Sequence, residues 1–317
     1  KLKKEARCDP QRQPPHGYPG MVWSMVSQPA AGGFALVPNP YAENLHMLRK
    51  IPLSPDVVDC IVFWSKNPRP FFDFLPEIQQ LGYPFYFQFT LNPYEAAIEQ
   101  NLPALDERID TFHRLSAIIG PERIVWRYDP VIIDEAHPLN WHGEQFERLC
   151  ALLHADTCRC VFSFFDRYAK DQSGFREVEE ATMRAVARSF SSTAARYDLP
   201  LSTCSEAVDL TPYRITHAAC IDSEQIRRIL GRPVHAKKDP NQRPFCGCME
   251  SMDIGSYHSC INGCIYCYAN QGIERARRRM QRHEPHSPML LGHPDGTEKI
   301  VEVRAESLLI AQTSLFD

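Results

Sequence analysis

Short apolar or β-branched runs alternate along the chain with longer helix-like stretches. The runs are FALV (34–37), CIVFW (60–64), PFYFQFTL (84–91), RIVWRY (123–128), CVFSFF (160–165) and LPLSTC (199–204). Between them lie PFFDFLPEIQQLG, LPALDERIDTFHRLSAIIG, NWHGEQFERLCALLHA and SGFREVEEATMRAVARSFSSTAARYD. Strands that alternate with helices predict βαβ units and a parallel sheet, because a parallel neighbour is reached only through a crossover. The expected fold class is therefore α/β, with a partial or complete β/α barrel over residues 34–235. A doubly wound sheet has the same local pattern and stays as the alternative.

The ends of the runs are polar: Ser65, Lys66 and Asn67, then Thr90 and Asn92, Arg127 and Asp129, Asp166 and Arg167, Cys204 and Glu206. In a β/α barrel the carboxyl ends of the strands form one mouth, which makes Lys66, Asn92, Arg127, Asp129 and Asp166 the candidate catalytic residues. Each of these alone reads more simply as a helix cap or a turn former. Five loops ending alike point to a pocket.

The flanks differ from this core. Residues 1–33 are rich in Pro, Gly, Gln and basic residues without an apolar period, and read as irregular. Residues 236–283 form a cysteine-rich segment followed by a basic helix, and 284–317 a tail. The whole chain has 317 residues, 44% hydrophobic and 23% charged, with a net charge of −4. That charge gives no global attraction to nucleic acid, so binding of that kind needs a local patch. No apolar run approaches the ~20 residues of a membrane span, and the first residues lack the apolar core of a signal peptide. The expectation is a cytoplasmic protein without a membrane partner.

Twelve cysteines without a secretion signal point to metal or redox chemistry more than to disulfides. Five lie in FCGCMESMDIGSYHSCINGCIYCYAN (245–270), and three of these, Cys260, Cys264 and Cys267, are spaced C-x3-C-x2-C. Three thiolates on one short turn can hold three irons of a 4Fe-4S cube and leave the fourth iron without a protein ligand. The competing reading is a zinc site with His258 as fourth ligand. Cys204, Cys220, Cys246 and Cys248 form a second complete set of four thiolates, for a further Fe-S cluster or a zinc ion. Read plainly, Cys204 and Cys220 are buried thiols. Gly247 is expected to allow the tight turn that Cys-Gly-Cys needs to face one metal.

The triplet with Tyr266 just before its last cysteine resembles the cluster signature of the radical SAM enzymes. Their open iron chelates S-adenosylmethionine and splits it reductively to a 5′-deoxyadenosyl radical. The wider pattern is CGC-x2-S-x-DIG-x-Y, the triplet and YAN, on a chain carrying VFWSKNP, PFYFQFTLNPY and RIVWRYDP. It resembles the domain of unknown function 1848 family over roughly residues 34–270. The resemblance implies a radical SAM-like iron-sulfur enzyme that draws on an electron donor. Two features depart from it. The triplet lies near the end of the chain instead of after the first strand. The family's opening strand and Ser-Arg-Arg-Thr-Asp-like turn have no counterpart in residues 1–33, which therefore read as an altered or truncated start. Glu250, Ser251 and Asp253, with Tyr266, are the candidate S-adenosylmethionine contacts; the first three read equally as a solvated loop.

Two further stretches carry partner chemistry. GIERARRRMQRHEP presents Arg275, Arg277, Arg278, Arg279 and Arg282, either as a solvated face or as a surface for nucleic-acid phosphates. The last residues, QTSLFD, place Gln312, Leu315 and Phe316 as in the Q-x-x-L-F peptides by which bacterial DNA-repair proteins dock into the sliding clamp. Together these make the alternative function, a metal-containing accessory protein of DNA maintenance.

Overall fold

Alternation within each run decides where its side chains go, because successive residues of a strand point to opposite faces. In the run FYFQFT, Phe85, Phe87 and Phe89 face one way and Tyr86 the other, and each of these rings is buried. Both faces of that strand are therefore covered. The computed structural model describes residues 33–38, 46–167, 173–270, 272–284 and 286–310.

The chain forms two sheets. In the smaller, β1 (Phe34–Pro38) runs antiparallel to β2 (Met47–Pro52), which pairs in parallel with β9 (Lys299–Glu302). The larger sheet contains β3 (Ile61–Ser65), β4 (Phe85–Thr90), β5 (Ile124–Val131), β6 (Arg159–Phe164), β7 (Leu201–Thr203) and β8 (Thr216–His217). All its pairings are parallel, and its spatial order is its chain order. The run at 34–37, expected to open the alternation, belongs instead to the small sheet. The sixth parallel strand is β8, whose two residues are too few to leave an apolar run in the sequence.

The crossovers are α1 (Leu75–Gln80), α2 (Leu105–Ile119), α3 (Leu139–Leu153) and α4 (Glu180–Arg196). In α2, Ile109, Phe112, Leu115 and Ile119 recur at helical spacing and are buried, while Asp106 and Glu107 in the first turn suit its positive end. The helix stops at Gly120, whose φ of 88° suits a residue without a side chain. All four crossover helices feed one apolar cluster with Phe85, Phe87, Phe89, Trp126, Tyr128, Phe162 and Phe164. At its centre Phe146 and Phe190 stack with centroids 3.9 Å apart. A doubly wound sheet would divide its crossover helices between two faces, and its strand order would reverse; here the four crossover helices share one face and the order does not reverse.

The opposite face carries Tyr86, Val125 and Val161, and residues that follow β8 cover it: Ala218, Met249, and Ile226 of α5 (Ser223–Leu230). Asp222 caps α5 by accepting from the Glu224 amide at 2.9 Å. No pairing joins β3 to β8 among the described residues. The fold is thus α/β with a six-stranded parallel sheet wound in one direction. No helix among the described residues is long and apolar enough to cross a membrane.

Candidate functional site

At the carboxyl ends of β3, β4 and β5, strand-end residues point away from the helical layer and meet in one charged network. Its centre is Glu99, from the loop between β4 and α2, which is 2% exposed. Lys66 donates to Glu99 Oε1 at 2.8 Å and Arg108 to Oε2 at 2.8 Å. The Tyr266 hydroxyl donates to Oε1 at 2.5 Å, and Asn92 Nδ2 approaches it at 3.3 Å. Burial opposes ionisation of Glu99, but Lys66 and Arg108 outweigh it and hold the carboxyl below its ordinary range. Burial likewise works against the Lys66 ammonium, and Glu99 and then Cys264 more than offset it, so its pKa is raised.

Asn92 joins this centre to the next strand. Its Nδ2 donates to the Asp129 carbonyl at 2.8 Å, and its Oδ1 accepts from the Asp129 amide at 2.8 Å. Arg127 Nε donates to Asp129 Oδ2 at 3.0 Å, and the Ser163 hydroxyl donates to Asp129 Oδ1. Burial raises the Asp129 pKa, but Arg127 and Ser163 reverse the shift and lower it. Lys66, Asn92, Arg127 and Asp129 are therefore brought together as the strand-end pattern predicts. Asp166 stands apart. It accepts from Arg243 Nη1 at 2.5 Å on a rim where both side chains are about half exposed.

The cysteine triplet sits on this network. An isolated antiparallel bridge pairs Glu99 with Cys264, and the Ile265 amide donates to the Ile98 carbonyl at 3.0 Å. The Asn101 amide donates to the Asn262 carbonyl at 2.9 Å, and its side chain to the Ile261 carbonyl at 3.0 Å. Gly263 takes a φ of 68°, and a Cβ there would meet Asn101 Nδ2 at 2.6 Å. Asn270 closes the turn by donating to the Cys260 carbonyl at 2.6 Å. A segment distant in sequence is thus zipped to the β4–α2 loop, with Tyr266 pointing into the charged centre.

Burial raises the Cys260 thiol pKa and pushes Cys264 up to about 12, with Lys66 opposing the shift in both. A thiolate at these positions needs a cation at the sulfur. The donor set fits iron or zinc in its chemistry, since both take thiolates. Among the described residues, no group of three or more His, Cys, Asp or Glu side chains stands at the geometry of a finished metal site.

The four remaining cysteines also converge. Cys220, Cys246 and Cys248 pack as one buried group with Cys204 against them. Gly247 lies outside the left-handed region, and a Cβ there would lie 3.3 Å from the Ala218 carbonyl oxygen. Close backbone approach is its reason.

Of the expected S-adenosylmethionine contacts, only Tyr266 joins the network. Glu250, Ser251 and Asp253 are exposed, and Asp253 Oδ1 accepts from the Gly255 amide at 2.7 Å within its own turn. On α6 (Ile273–Met280), Arg277 pairs with Glu274 at 2.7 Å, and Arg279 donates to Ser256 Oγ at 3.1 Å. Arg279 thus braces the cysteine segment instead of joining a solvated face, while Arg275, Arg278 and Arg282 are exposed. Gln312, Leu315, Phe316 and residues 1–32 lie outside the described residues.

Glu99 and Arg108 were absent from the strand-end pattern. Arg108 had a signal: it precedes Phe112 by four residues on the apolar face of α2, where a charge needs a buried partner. Glu99 had none in its neighbours.

No curated protein matches the chain. A family model does, over residues 22–269, and its description is a domain of unknown function, DUF1848. The match spans the small sheet's first strands, the whole parallel sheet and the triplet zipped to its carboxyl edge. The chain accordingly belongs to the domain of unknown function 1848 family.

Proposed function

We propose that this chain is an iron-sulfur enzyme of radical SAM-like type, built on a partial β/α barrel. One observation carries the reading: the loop of Cys260, Cys264 and Cys267 is bonded to the carboxyl ends of parallel strands, beside a buried group of Lys66, Asn92, Arg127 and Asp129. Sequential strand order and four crossover helices on one face support the partial barrel. The three cysteines would hold a 4Fe-4S cluster; bound there with S-adenosylmethionine, it would supply one-electron cleavage of the sulfonium.

The chain's own residues do the rest. Lys66 sets a positive charge beside Cys264 and Cys260, which favours their thiolates. Tyr266 and Asn92 fix the loop to Glu99, so the sulfurs keep their place relative to the sheet. Asp129, held in place by Arg127 and Ser163, offers a fixed acceptor for a polar substrate at the mouth. Phe165, Tyr94 and Trp141 pack beside Tyr266 and exclude water from that side.

The test is anaerobic reconstitution of the full chain with iron and sulfide, then dithionite and S-adenosylmethionine. The expected products are 5′-deoxyadenosine and methionine, and both disappear in Cys264→Ser. An intact cluster that yields neither product ends the reading.

A further inference from the structure

A second group of cysteines lies on the covered face of the parallel sheet. It begins with Cys220, just after β8. Its carbonyl accepts from the Tyr86 hydroxyl at 2.5 Å and from Gln88 Nε2 at 2.8 Å, which fixes the backbone against β4. Cys204, just after β7, brings its sulfur to 3.4 Å from that of Cys220. The segment of residues 246–250 then folds back on 237–239. Lys238 bridges Met249, the Asp239 amide donates to the Cys248 carbonyl at 3.0 Å, and the Glu250 amide donates to the Lys237 carbonyl at 2.8 Å. This hairpin-like return sets Cys246 and Cys248 on the same group.

The donors aimed at the sulfurs are those a thiolate needs. Amides of Cys220 and Ile221 point at Cys248 Sγ, at 3.2 and 3.4 Å. Arg127 Nη1 donates to Cys220 Sγ at 2.9 Å. Neutral buried thiols accept weakly and would waste a buried guanidinium; negative sulfurs would match it.

The one sulfur spacing in the group bears on the occupant. A disulfide requires about 2.05 Å between sulfurs, far shorter than 3.4 Å. Four thiolates on one zinc at about 2.3 Å stand about 3.8 Å apart along each tetrahedral edge. Thiolates of an iron-sulfur cube stand farther apart, because each bonds its own iron. The Cys204 and Cys220 sulfurs, in hydrogen-bond contact at 3.4 Å, lie closer to the single-metal edge than to either alternative, while the four do not yet stand at the geometry of a finished site.

We infer that Cys204, Cys220, Cys246 and Cys248 bind one zinc-class ion in a four-thiolate site, separate from the Cys260, Cys264 and Cys267 loop. Binding displaces the thiol protons to solvent, and the metal clamps the 237–250 return onto β7 and the segment after β8. Through Arg127, which also donates to Asp129, the clamp borders the mouth.

Metal analysis of anaerobically purified full-length protein tests this. The wild type carries about one zinc per chain. The triple variant Cys260→Ser, Cys264→Ser, Cys267→Ser keeps that zinc, and the double variant Cys246→Ser, Cys248→Ser loses it. Cobalt(II) added to zinc-depleted triple variant gives intense visible bands of tetrahedral thiolate coordination, a readout that stands even if the double variant fails to fold. Absence of those bands overturns the inference, as does loss of iron instead of zinc in the double variant. Iron content unchanged in the triple variant would refute the triplet reading alone and leave the zinc result standing.

Discussion

Glu99 is a carboxylate with two cations and almost no solvent, and its removal gives the most direct test of the site's electrostatics. Its side chain is 1% exposed, that of Arg108 3% and that of Lys66 16%. Glu99→Gln keeps the shape and removes the charge, leaving two buried cations without their counter-ion. Breaking a buried pair from one side costs about 3–5 kcal/mol, because the orphaned charge stays desolvated. Lys66→Met removes one cation and leaves the Glu99–Arg108 pair intact, so its cost is the smaller one of a charged hydrogen bond, about 1.5–3 kcal/mol. Combining the two should cost less than their sum by about 0.5–3 kcal/mol, since both act on one network. Urea unfolding followed by fluorescence of the fully buried Trp126 measures all three variants. Limited proteolysis provides a local readout: with Tyr266 donating to a neutral amide oxygen in place of a carboxylate, the segment around Cys264 should be cut faster in Glu99→Gln. A cost below about 1 kcal/mol, or strict additivity, would refute the account of a shared buried counter-ion.

Two other perturbations probe the scaffold. His142 is fully buried, with the Tyr128 hydroxyl 2.8 Å from Nδ1 and the Ile132 carbonyl 2.7 Å from Nε2, and burial pushes its pKa down from 6.5 to about 4. Between those values the unfolded chain binds a proton that the folded chain refuses. Stability is therefore fully present above pH 6.5 and falls as the pH drops towards 4, by about 3 kcal/mol at 1.36 kcal/mol per unit. Denaturant titrations at pH 7 and 4.5 should show a larger acid loss in wild type than in His142→Gln; equal losses would contradict this assignment. Gly263→Ala forces a side chain into the left-handed region and onto Asn101 Nδ2, which is engaged with the Ile261 carbonyl. Iron loading should fall while the urea midpoint of the sheet barely moves, and unchanged loading would show that the zipped loop is not needed to bind metal.

Much of the scaffold was legible because its signals are local and repeated. The helices at 105–119, 139–153 and 180–196 follow from period alone, and five of the six parallel strands from apolar runs. The small sheet was not, because β2 and β9 meet across some 250 residues and neither is distinctively apolar. Helix α5 escaped for a related reason: it buries only Gln225 and Ile226, too little to leave a stripe. In the site, Lys66, Asn92, Arg127 and Asp129 could be found because strand ends converge by topology. Glu99 could not, since its importance comes wholly from partners at Lys66, Arg108 and Tyr266 that local sequence does not bring near. The grouping of Cys204 and Cys220 with Cys246 and Cys248 followed from counting thiols, and the sheet explains it by ending β7 and β8 side by side.

The order of these parts along the chain also sets an order in time. Lys66, Glu99, Arg127 and Asp129 are all made before any residue of the 260–267 loop, with a lead on the order of ten seconds at ordinary rates of synthesis. The parallel strands can pair while the cysteines of that loop are still inside the ribosome. Its three thiols then emerge onto a finished docking surface and are covered soon after they appear. A protein arranged this way exposes those three thiols only briefly, and a metal bound there as proposed would arrive at the end of folding instead of being needed to begin it.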